Sequence, residues 1–213
     1  MFEQLIYPFT LAEFFGICAL VLHLIAYGFY AHEVFHERIR PNVITWLMWL
    51  FGGVVELMTY NAITGSHWSS NALPFACVIG IGAITATMAY AQLRNTRNKT
   101  QYLYHKPLLS DYFLVLFDGV AVVYWLFGGN PVLANALAVC TSIITFIPLW
   151  RTTYQDPEGE QDIPWILWSV AYVFMFLAIY TGESSSEWGL YIFPVYYFAL
   201  HVVVALLTIR RKK

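Results

Sequence analysis

Long apolar runs dominate this 213-residue sequence, and they constrain its fold more than any other feature. A bilayer core about 30 Å thick is crossed by a helix of about 20 mostly apolar residues. The chain contains seven runs of that length, and we place these predicted spans at residues 11–31, 43–63, 72–93, 107–127, 131–151, 164–181 and 188–209. The sequence therefore predicts an all-α membrane protein with seven transmembrane helices.

The composition excludes a water-soluble globular protein. Charged residues make up 11% of the chain, against about 25% in an ordinary soluble domain, and the mean hydropathy is +0.59. The three cysteines, Cys18, Cys77 and Cys140, lie in three different predicted spans and form no CxxC pair. A disulfide framework or a thiolate zinc site is therefore not expected. The short connections leave no room for a nucleic-acid-binding tail.

Basic residues are confined to alternate connections. The first, third and fifth connections and the C-terminus hold all 11 Lys and Arg residues, whereas the N-terminus and the second, fourth and sixth connections hold none. Seven spans put the basic segments on one side of the membrane, and basic residues favour the cytoplasmic side. The sequence thus predicts a multi-pass integral membrane protein with its N-terminus outside and its C-terminus in the cytoplasm.

The last three predicted spans repeat features of the first three. At a shift of 119 residues, Ile44, Trp46, Trp49 and Val54 fall on Ile163, Trp165, Trp168 and Val173, and at 120 residues Trp68 and Pro74 fall on Trp188 and Pro194. The shift equals four spans, so both halves would cross the membrane in the same direction. We therefore divide the chain into a first triple-helix bundle at 1–93, an inverting linker helix at 94–130 and a second triple-helix bundle at 131–213. This 3+1+3 parallel repeat is the plan of SWEET transporters.

One segment adds to this resemblance. Residues 146–154, Phe-Ile-Pro-Leu-Trp-Arg-Thr-Thr-Tyr, precede an acidic link and then the pair Pro164-Trp165. The segment resembles the Pro-Gln turn, hydrophilic loop and helix-opening proline of the PQ-loop, SWEET-like transporter superfamily, although neither half contains a Pro-Gln dipeptide. The resemblance implies two helical bundles around a central substrate path, with Pro148 and Pro164 as hinges for alternating access.

Four ionisable side chains are expected at mid-depth in the membrane, namely Glu56, Asp118, His23 and His201. Such groups are costly in a bilayer and usually face a protein interior or an aqueous cavity. Glu56 or Asp118 could take up and release a proton during transport or bind a cationic substrate, with a histidine as relay or partner. The alternative is that these groups only form hydrogen bonds between helices and determine packing.

Tryptophans complete the candidate site. In the resembled family a pocket-lining tryptophan stands at the place of Glu56, whose counterpart in the second half is Met175. This departure from the family's pattern suggests a substrate other than a neutral sugar. Trp49 and Trp168 lie deep enough to stack on a planar substrate, and core packing is the alternative. An interfacial belt is expected for the tryptophans near predicted span ends, which are Trp46, Trp68, Trp150, Trp165 and Trp188.

The segment 32–36, His-Glu-Val-Phe-His, matches the H-E-x-x-H pattern of zinc hydrolases, in which the two histidines share one face of a helix. No second motif nearby supplies a third ligand, and the segment continues into the charged residues 37–40. We interpret it as the solvated end of the first span. A membrane-embedded metal hydrolase that uses His32, Glu33 and His36 is the alternative.

Taken together, these features predict a non-enzymatic transporter or facilitator that moves a small polar solute by alternating access, with or without proton coupling. Its cavity would be lined by the first, second, fifth and sixth spans. The expected partners are the solute and the lipid bilayer; no cofactor is expected, and a homo-oligomer is left open. The alternatives are a Pnu-like vitamin transporter, the metal hydrolase and a seven-helix receptor or structural membrane protein. A retinal-binding rhodopsin is excluded, because every lysine lies outside the predicted spans.

Overall fold

The structure, a computed structural model, describes residues 9–65, 68–97, 109, 116, 119–120, 123–124, 126–182, 186 and 188–210. Within these residues the chain forms one 3₁₀ turn, Pro157–Gly159, and six long helices: α1 Leu11–Phe35, α2 Val43–Thr64, α3 Trp68–Arg97, α4 Pro131–Gln155, α5 Asp162–Tyr180 and α6 Gly189–Ile209. All six are long and apolar enough to cross a bilayer. The predicted all-α fold of membrane-spanning helices is therefore confirmed for the described part of the chain.

The six helices correspond to six of the predicted spans. Helices α1 to α3 match the first three predicted spans and α4 to α6 match the last three, with ends that differ by at most four residues. The longest extensions are at α1, α3 and α4, because a helix with internal backbone hydrogen bonds need not stop where its apolar run stops. Most of the fourth predicted span, 107–127, lies outside the described residues, so the count of seven stays a prediction.

Polar residues and a glycine mark several helix ends. The Thr10 hydroxyl accepts a hydrogen bond from the Glu13 backbone N–H, and the Glu13 carboxylate accepts one from the Thr10 N–H, which makes a capping box. Asn42 and Asn130 cap α2 and α4 through their side-chain oxygens. Gly65 follows α2 with a φ of 61°, a left-handed conformation that glycine adopts without strain. Local sequence therefore accounts for these helix boundaries.

The six helices pack in a ring. The order around it is α1, α3, α2, α4, α6 and α5, and α5 contacts α1 to close the ring. In each triplet the third helix lies between the other two, so that α3 separates α1 from α2 and α6 separates α4 from α5. The triplets meet where α1 contacts α5 and where α2 contacts α4. The ring thus has an interior that side chains of both triplets reach.

Hydrogen bonds show which helix ends lie together. Arg94 Nη2, near the end of α3, donates to the carbonyl oxygen of Phe35 at the end of α1 over 3.2 Å. Arg210 Nη2, after α6, donates to the carbonyl oxygen of Tyr154 near the end of α4 over 2.7 Å. We call this side of the bundle the arginine end, and it carries Arg38, Arg40, Arg94, Arg151 and Arg210.

Large apolar side chains cover the outside of the ring. In α1, Phe14 and Val21 are exposed, whereas the small residues Gly16 and Ala19 are buried against neighbouring helices. Small residues let helix backbones approach closely, and an added Cβ at Gly16 would lie 2.8 Å from the backbone oxygen of Ser69 in α3. Phenylalanines on four helices are exposed on this outer surface, namely Phe14, Phe29, Phe51, Phe75 and Phe198. This surface suits contact with lipid tails.

Candidate functional site

A cavity lies in the interior of the ring, where side chains from all six helices meet. Its volume of about 30 Å³ is enough for roughly two water molecules. We call it the central cavity. Helices α3 and α6 line it in addition to the four helices that the sequence predicted, because the third helix of each triplet lies between the other two. The polar part of its lining includes Glu56, Cys77, Ser142, Thr145, Tyr197 and His201.

Glu56 lies near the middle of α2 and is only 5% exposed. Its Oε1 accepts a hydrogen bond from the Tyr197 hydroxyl of α6 over 2.5 Å. Ser142 of α4 joins this cluster, with its Oγ 2.5 Å from Tyr197 Oη and 3.5 Å from Glu56 Oε1. Hydroxyl–carboxylate hydrogen bonds are among the strong ones in proteins. One carboxyl group therefore joins three helices at the cavity wall.

His201 of α6 presents a hydrogen-bond acceptor near the same cavity. Its Nδ1 lies 2.8 Å from the carbonyl oxygen of Tyr197, one helical turn earlier. A carbonyl oxygen can only accept, so Nδ1 carries the proton and Nε2 holds the lone pair of the neutral ring. The His201 ring packs against Trp165 and Tyr172, with centroid distances of 5.3 and 5.0 Å. These contacts hold the ring in one orientation.

His23 of α1 lies one contact behind the cavity wall. Its Nε2 is 3.2 Å from the Sγ of Cys77, and Cys77 lines the cavity from α3. The Tyr172 hydroxyl is 4.0 Å from the same sulfur atom. Met175 lies one turn beyond Tyr172 in α5 and is buried in the core. His23 therefore packs against the outer side of the cavity wall, at the Cys77 thiol and at the Tyr172 ring, whose centroid is 5.4 Å from its own.

Four tryptophans form a cluster between the triplets. Trp46 and Trp49 of α2 have ring centroids 5.2 Å apart, and Trp165 and Trp168 of α5 have centroids 4.9 Å apart. The expectation of an interfacial belt is wrong for Trp46 and Trp165, because both are fully buried in this cluster. Their positions near predicted span ends indicated the membrane interface, but side chains of neighbouring helices bury both of them.

The indole N–H groups of this cluster are not all satisfied. Trp49 Nε1 donates to Thr145 Oγ1 of α4 over 2.8 Å. Trp46 and Trp168 also line the cavity and are at most 2% exposed, and within the described part of the chain their Nε1 atoms have no hydrogen-bond partner. A buried donor without an acceptor costs free energy. Both tryptophans of the cavity wall therefore carry this cost in the present arrangement of the helices.

Buried side chains separate the cavity from the arginine end. Tyr30 and Trp165 are fully buried there, and both donate to the carboxyl group of Glu160, which follows the 3₁₀ turn after α4. Burial raises the pKa of Glu160 from 4.5 to about 8, while the hydrogen bonds from Tyr30 and Trp165 lower it in part and the nearby Asp156 charge raises it. The backbone N–H of Arg40 also donates to the carbonyl oxygen of Gly159 over 2.8 Å. The α4–α5 connection thus packs against the arginine end of the bundle.

Tyr60 lies beyond the cavity at the opposite end of the bundle. Its side chain is fully buried, and its hydroxyl donates to the carbonyl oxygen of Leu190 at the start of α6 over 2.9 Å. Its ring packs on Phe193, which lines the cavity, with a centroid distance of 5.6 Å. Hydrogen-bonded aromatic side chains therefore lie beyond the cavity in both directions.

Four predicted site residues meet at the central cavity, namely Glu56, Trp49, Trp168 and His201. Asp118 lies outside the described residues. Ser142, Cys77 and Glu160 were not predicted as site residues. Ser142 falls on His23 at the repeat shift of 119 residues, and this pairing with a candidate residue could have found it.

The two proline hinges predicted from the family resemblance occupy different helix positions. Pro148 lies inside α4, where its missing N–H removes the backbone hydrogen bond to the carbonyl oxygen of Ile144. Pro164 is the third residue of α5, in the first turn, where a backbone N–H has no partner within the helix in any case. Pro148 therefore weakens its helix and Pro164 does not. Their role as hinges stays a prediction.

The H-E-x-x-H segment lies at the arginine end of α1. His32 and Glu33 are in its last turn and His36 is its C-cap, with 4.4 Å between the two histidine ring centroids. Glu33 Oε1 accepts a hydrogen bond from Arg38 over 3.0 Å. In the ranges described above, three or more His, Cys, Asp or Glu side chains nowhere come together as metal ligands would. The segment has the contacts of a charged helix end.

Comparisons of the chain with protein-family models, with curated proteins and with solved structures find no match.

Proposed function

We propose that this chain is a membrane carrier or facilitator for a small polar solute, with the 3+1+3 plan of the PQ-loop, SWEET-like transporters. The observation that carries the proposal is the central cavity, which both triplets line and which contains hydrogen-bonding groups that a solute could use. Glu56 and His201 of its wall offer acceptors, and the wall residues Trp46 and Trp168 have buried indole N–H groups without partners among the described residues. A polar solute that reached these N–H groups when the triplets separate would relieve the cost of the buried donors.

Ring contacts between the triplets support the two-bundle plan. The distance from Trp46 to Trp168 is 6.3 Å, and the pair that the 119-residue shift relates to it, Trp165 and Trp49, is 6.1 Å apart. Pairs related by a repeat have similar distances when a pseudo-twofold axis relates the two halves. The near equality of these distances therefore favours a repeat in which α1, α2 and α3 correspond to α4, α5 and α6.

Two polar contacts are also related by the repeat shift. Ser142 contacts Tyr197 in the second triplet, and at shifts of 119 and 120 residues their counterparts are His23 and Cys77, which contact each other. Glu56 binds the Ser142–Tyr197 pair and has an apolar counterpart in the repeat. The proposed carrier thus has a symmetric frame and one acidic site. Proton coupling through Glu56 stays a prediction.

Alternating access requires the two closed ends to open in turn. At the arginine end, the Tyr30 hydroxyl of α1 binds Glu160 in the connection of the second triplet. At the opposite end, Tyr60 of α2 binds the carbonyl oxygen of Leu190 in α6. Each bond joins one triplet to the other, so rotation of the triplets could break one and keep the other. We propose that the arginine end faces the cytoplasm, because basic residues favour that side.

The thiol of Cys77 allows this mechanism to be tested before a substrate is known. Replacement of Cys18 and Cys140 by alanine leaves Cys77 as the only thiol of the chain. The protein is reconstituted in sealed vesicles, and a small membrane-impermeant thiol reagent is added outside or enclosed inside. We expect Cys77 to be labelled from either side, because each end opens in turn.

A second single-cysteine variant controls for labelling through the lipid phase. Cys140 is exposed on α4, and a variant that keeps only this thiol should react slowly with a charged reagent. Labelling of Cys77 from neither side, with full labelling after denaturation in SDS, would contradict a carrier. Labelling from one side only would indicate a binding cavity without transport and would contradict it as well.

A further inference from the structure

We infer that the solute of the central cavity is a small organic cation, held by the carboxylate of Glu56 and by the aromatic rings around it. This inference rests on the proposed function, because it names the chemical class that the same cavity would carry. It draws on three properties of the lining, which are the sign of its charge, the position of its acceptors and the orientation of its rings.

The charged part of the lining has one sign. Among the described residues around the cavity, Glu56 is the only Asp or Glu, and Lys and Arg are absent. The basic residues of the chain lie in the connections and at the helix ends. A carboxylate in a medium of low dielectric constant attracts a cation and repels an anion more strongly than in water. The lining therefore favours a positively charged solute.

Two acceptors are positioned to receive N–H donors from such a solute. Glu56 lies on α2, and its Oε1 already accepts from the Tyr197 hydroxyl, which orients the carboxyl group. His201 lies one turn after Tyr197 on α6 and keeps its Nε2 lone pair, because Nδ1 donates to a backbone carbonyl. Both side chains line the same cavity. A primary ammonium group, which carries three N–H donors, matches this pair of acceptors.

Seven aromatic rings of Tyr, Trp and Phe side chains also line the cavity. Tyr172 and Tyr197 are nearly parallel, with an interplanar angle of 14° and centroids 5.6 Å apart. Phe193 is inclined to Tyr172 by 63°, and Trp46 is inclined to Trp49 by 72°. Rings at such different angles direct their π faces along several directions, and a cation within about 6 Å of a ring centroid is attracted to its face. Aromatic cages bind quaternary ammonium groups in this way.

The size of the cavity limits what it can hold when both ends are closed. A volume of about 30 Å³ admits a cation of two heavy atoms, such as methylammonium, and little more. A quaternary ammonium group needs the triplets to separate. Both kinds of cation therefore serve as probes, one for the closed cavity and one for the opened cavity.

Binding to the purified full-length chain in detergent tests the inference. The probes are methylammonium chloride and tetramethylammonium chloride, and the neutral reference is tert-butanol, which has as many heavy atoms as tetramethylammonium. Tryptophan fluorescence reports binding at constant ionic strength, because three of the eight tryptophans line the cavity. We expect saturable quenching by at least one cation and none by tert-butanol.

Variants separate the site from general effects. Glu56→Gln is expected to weaken cation binding at least tenfold, and Phe193→Leu, which removes one π face at similar volume, is expected to weaken it severalfold. Glu158→Gln changes an exposed glutamate in the α4–α5 connection and should bind like the wild type. Phe193→Leu keeps the test decisive if Glu56→Gln does not fold, as judged by size-exclusion chromatography.

The inference is overturned if neither cation quenches, if tert-butanol quenches equally, or if folded Glu56→Gln and Phe193→Leu both bind with wild-type affinity. Its failure differs from failure of the carrier proposal. Labelling of Cys77 from both sides without any preference for cations would leave a carrier for another solute. A Cys77 thiol that is never labelled in the native protein would remove the carrier, even if cations bind.

Discussion

The α4–α5 connection places a carboxyl group in the interior of the arginine end, and its protonation should control stability. Glu160 is 2% exposed and accepts hydrogen bonds from Tyr30 Oη at 2.9 and 3.0 Å and from Trp165 Nε1 at 3.2 Å. Because burial raises its pKa to about 8, the group is mainly protonated at neutral pH in the folded protein. In the unfolded chain, with a pKa of 4.5, it is ionised.

This difference makes the folded state less stable as the pH rises. The native state binds the proton more tightly, so the stabilisation is fully present below pH 4.5 and is lost progressively up to pH 8. Within this window the free energy of unfolding falls by about 1.4 kcal/mol per pH unit. From pH 5.5 to pH 7.5 the loss is about 3 kcal/mol. For a chain of this size, that loss lowers Tm by roughly 6–12 °C.

Thermal unfolding of the wild type and of Glu160→Gln at both pH values measures the effect. Glutamine is neutral and keeps a side-chain oxygen that accepts hydrogen bonds, so it imitates the protonated acid. We expect Glu160→Gln to lack this decrease in Tm and to be more stable than the wild type at pH 7.5. Glu158→Gln, in the same connection but exposed, should keep the wild-type decrease. Identical pH dependence of Tm in the wild type and Glu160→Gln would refute the reasoning.

Helix packing, the closed end and the topology each give a measurable expectation. The Tyr27 ring fills the space where Gly80 would carry a Cβ, so Gly80→Ala should lower the free energy of unfolding by about 1–3 kcal/mol in the same thermal assay. Gly28 has open space around it, so the control Gly28→Ala should be neutral or stabilising by up to about 1 kcal/mol. Tyr60→Phe removes the hydrogen bond to the carbonyl oxygen of Leu190, so it should lower the free energy of unfolding by about 1 kcal/mol and speed labelling of the Cys77 thiol from that end. Unchanged labelling would contradict the role of Tyr60 as a closure. A fluorescent protein fused to the C-terminus should fluoresce in the cytoplasm and a phosphatase fused to the N-terminus should be active outside; both termini on one side would contradict seven spans.

The positions of the helices could be predicted because they depend on a one-dimensional pattern. Apolar runs of membrane-spanning length and caps such as Thr10, Asn42 and Asn130 act within a few residues, so the ends of all six described helices lie within four residues of prediction. The shared cavity of Glu56 and His201 was partly predictable for a related reason. A costly polar group at mid-depth avoids lipid, and the only place for it is the interior that the helices share.

The partners of those groups could not be predicted from the sequence. Ser142 and Tyr197 reach Glu56 across 86 and 141 residues of sequence, and whether they meet depends on how each helix is rotated about its own axis. The same holds for Trp46, which lies near a helix end and is buried because Tyr30 of α1 and Trp168 of α5 pack against its ring. In the sequence, Glu160 is one of several acidic residues between two predicted spans, and nothing there indicates that it is buried.

The amino-acid sequence by itself determined that the chain enters a membrane, where its helices lie and that a few polar groups must share its interior, because the cost of polar groups in lipid acts on each segment separately. Only the tertiary structure decided that α3 and α6 stand between their neighbours, that four tryptophans meet between the triplets, and that Glu160 is buried at the arginine end. These features depend on the relative rotation and height of the helices, which the packing of side chains selects together and which the sequence of one helix does not specify.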